Sequence, residues 1–250
     1  MQQTTLQRIS EKKKQWMAGK MRLPAVEKNL YIYAKVALTY ASNAIEGNTL
    51  TEGETAIILD KGIAIGGKTL QEHLEVVGHA RAVDWIQGIS TQRTRKELAM
   101  EDLLTLHRLL LQEIMPEEAG RFRKVAVRIA GSHVARPNPA KVPILMEQFL
   151  DNLQHIEDHE VVVALQAHLD FVFIHPFIDG NGRTARLLFN LLLLQEGYPL
   201  VVIDNHKRKE YIDGIEEALL RGNRKEYDLF MFQMVEQALD DSLAAVHDSI

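Results

Sequence analysis

The stretch from Leu169 to Leu194, LDFVFIHPFIDGNGRTARLLFNLLLL, decides how this chain folds. Its first apolar run reaches Ile174 and then His175. Pro176 stops the helix there, because proline disfavours helical backbone in the residue before it. A loop with Gly180, Asn181 and Gly182 follows, and helical spacing resumes at residue 183. A histidine therefore sits at the edge of a buried helix, facing a glycine-rich loop. The run from Leu187 to Leu194 is too short for a membrane span, and Arg183 and Arg186 precede it.

Most of the remaining chain also reads at helical spacing. Residues 4 to 19 form a polar helix expected to pack lightly, and Pro24 marks a break. A wide apolar face runs from Val26 to about Ile45, with Gly47 as a stop. Thr51 with Glu54 is a capping-box pair that opens a short helix. Gly62, Gly66 and Gly67 make a loop, and further helices are predicted over 69–88, 100–114, 139–156, 160–174, 183–195, 207–221 and 224–247. Residues 120 to 137, GRFRKVAVRIAGSHVARP, change texture. They show strand-like alternation, a Gly131-Ser132 turn and a proline ending, which predicts a small β-hairpin between helices. The fold class expected is mainly all-α with one hairpin. A helical region over 1–65 and a core over 66–250 are expected to form one compact unit.

Composition excludes several chemistries. The 250 residues are 46% hydrophobic and 25% charged, ordinary for a soluble globular chain. There is no cysteine, so disulfides, thiolate metal sites and a cysteine nucleophile are ruled out. Lysine and arginine number 29 against 34 acids, a formal charge of -5 that weighs against general nucleic-acid binding. A single small polyanion needs only a local basic cluster. The N-terminal sequence MQQTTLQRISEKKKQW has no signal-type apolar stretch, so a soluble, cytoplasmic protein is the expectation. No GxxxxGK[ST] or GxGxxG motif occurs.

The segment His175 to Arg186 concentrates chemistry. Its glycines let the backbone fold tightly and point N–H groups into a concave anion site. A helix N-terminus adds partial positive charge. Arg183 and Arg186, three apart, share a helix face. Asp179 is a hard oxygen ligand of the kind that suits Mg²⁺, and a histidine is the natural base near neutral pH. Together these are the parts of a phosphoryl or nucleotidyl transfer site. Each part has an ordinary reading alone: a helix-terminal histidine, a turn, solvated arginines. Their coincidence within twelve residues weakens all of those readings together.

This segment resembles the signature of the Fic family, HxFx[DE]GNGRxxR, and meets every fixed position. The flanking His168-Leu169-Asp170-Phe171 and Gly197-Tyr198-Pro199 are similar as well, and the likeness runs from about residue 30 to about residue 235. The resemblance implies a helical bundle with a β-hairpin flap. It also implies protein AMPylation, in which AMP moves from ATP to a Ser, Thr or Tyr hydroxyl of a target protein and pyrophosphate leaves. On this reading His175 is the base, and Asp179 holds Mg²⁺ between the α- and β-phosphates. Gly180, Asn181 and Gly182 form the anion hole, with the Asn181 amide as an added donor. Arg183 and Arg186 contact the outer phosphates, Arg186 the γ-phosphate. Thr184 is counted with the nucleotide-binding residues, and Phe177 packs the loop onto the core. The flap near 128–135 would dock a target segment by strand addition, with Ile129, Gly131 and Ser132 nearest the nucleotide and target. The family's adenine pocket often has adjacent aromatics and a later asparagine. Here Tyr211 precedes Ile212, and Leu219 stands where the asparagine would fall, so Tyr211 is the stacking candidate. The winged-helix module that many relatives carry at the C-terminus is not expected here.

A second motif, Ser42-Asn43-Ala44-Ile45-Glu46-Gly47-Asn48, matches the family's inhibitory pattern [ST]xxxE[GN]. Ser42 and Glu46 are four apart and share a helix face. A carboxylate at a helix C-terminus opposes the dipole and invites an external cation. The resemblance names that cation as Arg186, so Glu46 would compete with the γ-phosphate. In some relatives the same glutamate supports hydrolytic removal of AMP, a reverse activity open to Glu46 here through a water. A homodimer contact or a partner could control the brake, and self-modification is a further expectation. Neither nucleic acid nor membrane is expected as a partner. The alternatives are a transferase of UMP, phosphate or phosphocholine, and a non-catalytic nucleotide-sensing helical regulator. Gly182 speaks for AMP, because the kinase-like branch carries lysine there. His107, His133 and His168 share no ligand spacing and read as packing or capping residues. Lys12 to Lys14 read as a solvated helix face, and Lys207-Arg208-Lys209 with Arg221 to Lys225 as positive potential flanking Tyr211.

Overall fold

A computed structural model describes residues 2–129 and 131–248. Ten α-helices are found among them: α1 (Gln2–Arg22), α2 (Pro24–Ile45), α3 (Glu52–Lys61), α4 (Leu70–Ser90), α5 (Met100–Leu111), α6 (Val142–His155), α7 (Glu160–Ile174), α8 (Asn181–Gln195), α9 (Arg208–Arg221) and α10 (Lys225–His247). Local chemistry explains their limits. Pro24 begins α2, where its missing N–H has no intrahelical partner to lose. Thr51 and Glu54 close a reciprocal capping box at the start of α3, and Thr69 and Glu72 do the same for α4. Gly62 ends α3 in the left-handed region.

The centre of the molecule is α8, twelve of whose fifteen residues are buried. Helices α4, α5 and α7 pack around it, and α2 and α10 close further sides of the same core. The first helix does not pack lightly. Ile9 and Trp16 are 0% and 3% exposed, seated against the rest of the core. Lys12 pairs with Glu236 and Asp240 of α10, and Lys13 pairs with Glu160 of α7. Two of the three clustered lysines thus bind carboxylates rather than lying on a purely solvated face. The terminal helix is docked by both apolar burial and ion pairs.

The β-hairpin expected over 120–137 is not formed. No strand occurs among the described residues, and 121–138 is irregular apart from a turn at Gly131. Ala130, inside that stretch, lies outside the described residues. The alternation misled because it has no buried face: Val125 is 54% and Ile129 36% exposed. The backbone polar groups also find partners elsewhere. Arg123 N–H donates to Pro176 O, and the Arg123 guanidinium takes the carbonyls of Val125 and Pro137. A ladder needs those groups free.

Candidate active site

The end of α7 sets the site. His175 adopts φ 52°, the only positive φ outside glycine among the described residues. Such a left-handed residue costs about 1–2 kcal/mol. Two bonds hold it: its N–H donates to Phe171 O at 3.0 Å, and its carbonyl accepts from Arg123 Nε at 2.7 Å. The turn sends the chain out of the helix into the loop and leaves the imidazole at the loop's edge. Its Nδ1 lies 3.4 Å from Val172 O. A carbonyl only accepts, so Nδ1 carries the hydrogen and Nε2 keeps its lone pair. Burial, reinforced by Arg136 and Arg123, lowers the imidazole pKa to about 4, so it is neutral at pH 7.

The loop is clamped from three sides. Phe177 is fully buried and stacks on His107 with ring centroids 3.6 Å apart. Gly120 N–H donates to His107 Nδ1 at 2.9 Å, which leaves Nε2–H to donate to Asp179 O at 3.0 Å. The Asn181 amide donates to Phe177 O and accepts from Phe177 N–H. The amide oxygen and one of the two amide hydrogens thus close the loop on Phe177. Thr184 is a correction. Its hydroxyl is fully buried and donates to Gly180 O at 2.8 Å, bracing the loop rather than reaching a nucleotide. The backbone supplies the anion donors. Thr184 N–H is the first in α8 to find an acceptor, Gly180 O, so the N–H groups of Asn181, Gly182 and Arg183 remain for an anion.

Asp179 projects from this loop with its side chain 57% exposed. One oxygen accepts Gly180 N–H at 2.7 Å and the other lies 3.4 Å from Arg183 Nη2. No cluster of three or more His, Asp or Glu that could hold a metal occurs among the described residues. One open carboxylate beside an anion site fits Mg²⁺, which is usually held by one or two carboxylates together with substrate phosphates.

The two arginines of α8 are buried and differently paired. Arg183 lies between Glu75 at 3.6 Å and Asp179 at 3.4 Å. Arg186 reaches α2. Its Nε donates to Ser42 Oγ at 2.9 Å, and its Nη2 donates to Ser42 O at 2.9 Å and to Glu46 Oε1 at 2.7 Å. Burial raises the Glu46 pKa, but Arg186, Arg183 and Arg208 outweigh it and hold the carboxyl below the ordinary range. Arg208 also donates to Ile45 O at 2.7 Å, capping the end of α2 from which Glu46 extends. Gly182 makes room for this arrangement, since a Cβ there would collide with Glu46 Oε1.

The segment expected to be the flap is tied to α9. Ser132 Oγ donates to Glu216 Oε2 at 2.8 Å, and His133 N–H donates to Glu216 Oε1 at 2.5 Å. Ser132 N–H donates to Ile129 O at 3.1 Å across Gly131, which adopts φ 80°. Tyr211 is not a stacking platform. It is 1% exposed, and its hydroxyl lies 2.7 Å from His168 Nε2. Its neighbour Ile212 is 39% exposed.

Four residues that matter here were not singled out as site residues from the sequence. Arg123, Arg208, Glu216 and His107 each hold a site segment by bonds that span 52, 163, 84 and 72 positions respectively. Only Arg208 carried a signal, as part of a basic cluster.

Comparisons with known proteins agree with this geometry. A Fic/DOC family profile matches residues 97–193, which include the whole signature. Curated relatives include a protein adenylyltransferase Fic from Drosophila grimshawi, 39% identical over 212 residues that cover 84% of this chain and 43% of the relative. Another, from Drosophila willistoni, is 39% identical with coverage of 84% and 42%. The chain thus spans less than half the length of these curated relatives. Fic-1 from C. elegans superposes with a TM-score of 0.86 at 29% identity, over 97% of this chain and 71% of that one. A Fic domain-containing signalling protein from Bacteroides thetaiotaomicron gives a TM-score of 0.82 at 26% identity, over 98% and 97%. With a profile that takes in the signature and a fold shared from α1 to α10, this chain belongs to the Fic/DOC family.

Proposed function

We propose that this protein is a protein adenylyltransferase that Glu46 holds in a restrained state. The observation that carries the reading is the pairing of Glu46 with Arg186, the last arginine of a complete signature, beside a neutral His175. His175 Nε2 takes the proton of a target hydroxyl. The freed oxygen attacks the α-phosphorus of ATP and forms the new phosphoester, while the bond from that phosphorus to the β-phosphate oxygen breaks. Pyrophosphate leaves, and the charge that develops falls on the backbone N–H groups of Asn181 to Arg183. Asp179 would hold Mg²⁺, which supplies neutralisation of phosphate charge. Arg183 and Arg186 bind the outer phosphates.

The restraint is competitive. An Arg186 guanidinium engaged by Glu46 and Ser42 is not available to a γ-phosphate. The name carried by curated relatives of 39% identity supports a protein target and ATP as donor. No described helix is long and apolar enough to cross a membrane, and we take the compartment to be the cytoplasm.

Intact-mass measurement of the Glu46→Gly protein, incubated with ATP and Mg²⁺ alone or with candidate protein acceptors, tests the reading. An AMP adduct on the protein or an acceptor is expected. Complete absence of any adduct would sink the transferase assignment, and an adduct of different mass would assign a different donor.

A further inference from the structure

The segment beside His175 carries a charge that the chemistry above does not use. From Ala119 to Met146 there is no Asp or Glu, and the same stretch holds Arg121, Arg123, Lys124, Arg128, Arg136 and Lys141. Six cations set against a total charge of -5 leave -11 on the rest of the chain. The stretch is therefore a basic island in an acidic protein. Arg123 turns inward: it is 2% exposed and bonds backbone carbonyls. Lys124 and Arg128 are exposed, and among the described residues neither side chain has an ion pair or a hydrogen bond. Clustered cations elsewhere are paired. Lys12 and Lys13 bind carboxylates, Arg221 binds Glu217 and Arg224 binds Asp228.

Arg136 brings the island to the base. Its Nη1 donates to Val172 O at 3.0 Å, and the same carbonyl lies 3.4 Å from His175 Nδ1. A permanent cation and the imidazole thus share one acceptor. That is the guanidinium's one hydrogen bond among the described residues, and its Nε is buried without a partner. The carboxylate bonded to this segment, Glu216, is taken by Ser132 and His133. The Arg136 charge also opposes protonation of His175, in the same sense as burial and Arg123. A carboxylate that arrives at Arg136 offsets this charge as His175 takes the proton of the target hydroxyl.

We propose that this protein selects target segments with acidic residues beside the acceptor hydroxyl: Lys124 and Arg128 dock flanking carboxylates, and Arg136 takes the one nearest the hydroxyl. The proposal rests on the reading of this segment as the target-docking surface and of His175 as the base. Val125 and Ile129, which follow Lys124 and Arg128 directly, are 54% and 36% exposed and offer apolar contact to a peptide. The surrounding negative charge repels a long polyanion. Both features favour an acidic protein segment over nucleic acid.

The test uses the full chain carrying Glu46→Gly, with ATP and Mg²⁺. Fluorescent peptides of equal length carry Ser, Thr or Tyr as the acceptor, flanked by Glu, Gln or Lys. Anisotropy reads peptide binding, and intact mass reads AMP transfer to the peptide. Glu-flanked peptides are expected to bind roughly tenfold more tightly than their Gln counterparts, the scale of two or three exposed ion pairs, and to lose that advantage in high salt. Lys124→Gln with Arg128→Gln should remove most of the preference and leave ATP affinity unchanged. Lys124→Glu with Arg128→Glu should turn the preference to Lys-flanked peptides, which a merely structural role of these side chains would not do. Arg136→Gln should weaken the preference too, and the exposed pair decides the matter if that variant fails to fold. Equal binding of Glu- and Gln-flanked peptides overturns the proposal, as does a preference that charge reversal leaves unmoved. A single-stranded oligouridine that displaces the Glu-flanked peptide as well as an unlabelled copy does also overturns it, in favour of a general polyanion site. AMP transfer with no acidic preference overturns this proposal alone. Acidic preference with no AMP transfer to any peptide or protein overturns the transferase reading alone.

Discussion

Glu46 and Arg186 lie 140 positions apart in the chain and meet at 2.7 Å over the surface of Gly182. The contact depends on a missing side chain. A Cβ at residue 182 would collide with Glu46 Oε1 and stand 3.1 Å from Arg186 Nη1. Gly182→Ala should therefore push the carboxylate off the guanidinium. Carbon NMR of the Glu46 carboxyl checks this: its pKa, held low by the arginines, should rise toward the ordinary glutamate range. An unmoved Glu46 pKa would show that the carboxylate has another way to stay seated.

His175 carries a structural cost as well as a proposed chemical role. His175→Ala should reduce transfer by about a hundredfold or more while ATP still binds, because the phosphate donors belong to other residues. His175→Gly should be equally inactive. It should nevertheless be more stable than His175→Ala by roughly 1 kcal/mol, since only glycine adopts a φ of 52° without strain. Urea unfolding of the two variants compares them directly. Equal stability would mean that the left-handed turn relaxes in the variants.

Glu216 fastens the segment expected to receive the target. Its carboxylate accepts from Ser132 Oγ and His133 N–H. Glu216→Ala should speed hydrogen exchange at the His133 amide and raise KM for a protein target several-fold. The affinity for ATP should not move, because no phosphate ligand touches Glu216. A matching loss of ATP affinity would place this carboxylate in a different role.

The parts of the fold that local chemistry sets were legible in the sequence. Pro176 ends α7, Thr51 and Thr69 open α3 and α4, and Gly47 closes the turn after Glu46. Thr69 shares the Thr-x-x-Glu spacing read at Thr51. Longer-range commitments were not legible. Tyr211 was the stacking candidate because the resemblance puts adenine-pocket aromatics at that place, yet it is 1% exposed and its hydroxyl is taken by a histidine 43 positions away. The 120–137 segment looked like strand because alternation says nothing about who satisfies the backbone. Arg123 answers that question with carbonyls of Val125, Pro137 and His175, which no periodicity encodes. Asn181 was read from the motif as a phosphate donor; that its amide also closes the loop on Phe177, four residues back, was not read.

Buried histidines give the protein a defined acid limit. His107 and His175 are lowered to about 4 and His168 to about 3, and His79 is well below the ordinary value, in each case chiefly by burial. In the unfolded chain each titrates near 6.5. Above that pH neither state is protonated, and these groups contribute no pH dependence. Below it the unfolded chain binds protons that the native state refuses, so stability falls as pH falls from about 6.5 toward about 4. Near pH 5.5 the unfolded state should hold about three to four more protons than the native one, from these four side chains. Glu72 and Glu236, lowered to about 2 by their hydrogen bonds, add the same sign at lower pH. Urea unfolding at closely spaced pH values measures the slope: a plateau above pH 7 and a steep decline beneath about 6.5 are expected, at constant m-value. A stability that stays flat from pH 7 to pH 5 would mean that these imidazoles are protonated in the native protein as readily as in the unfolded chain.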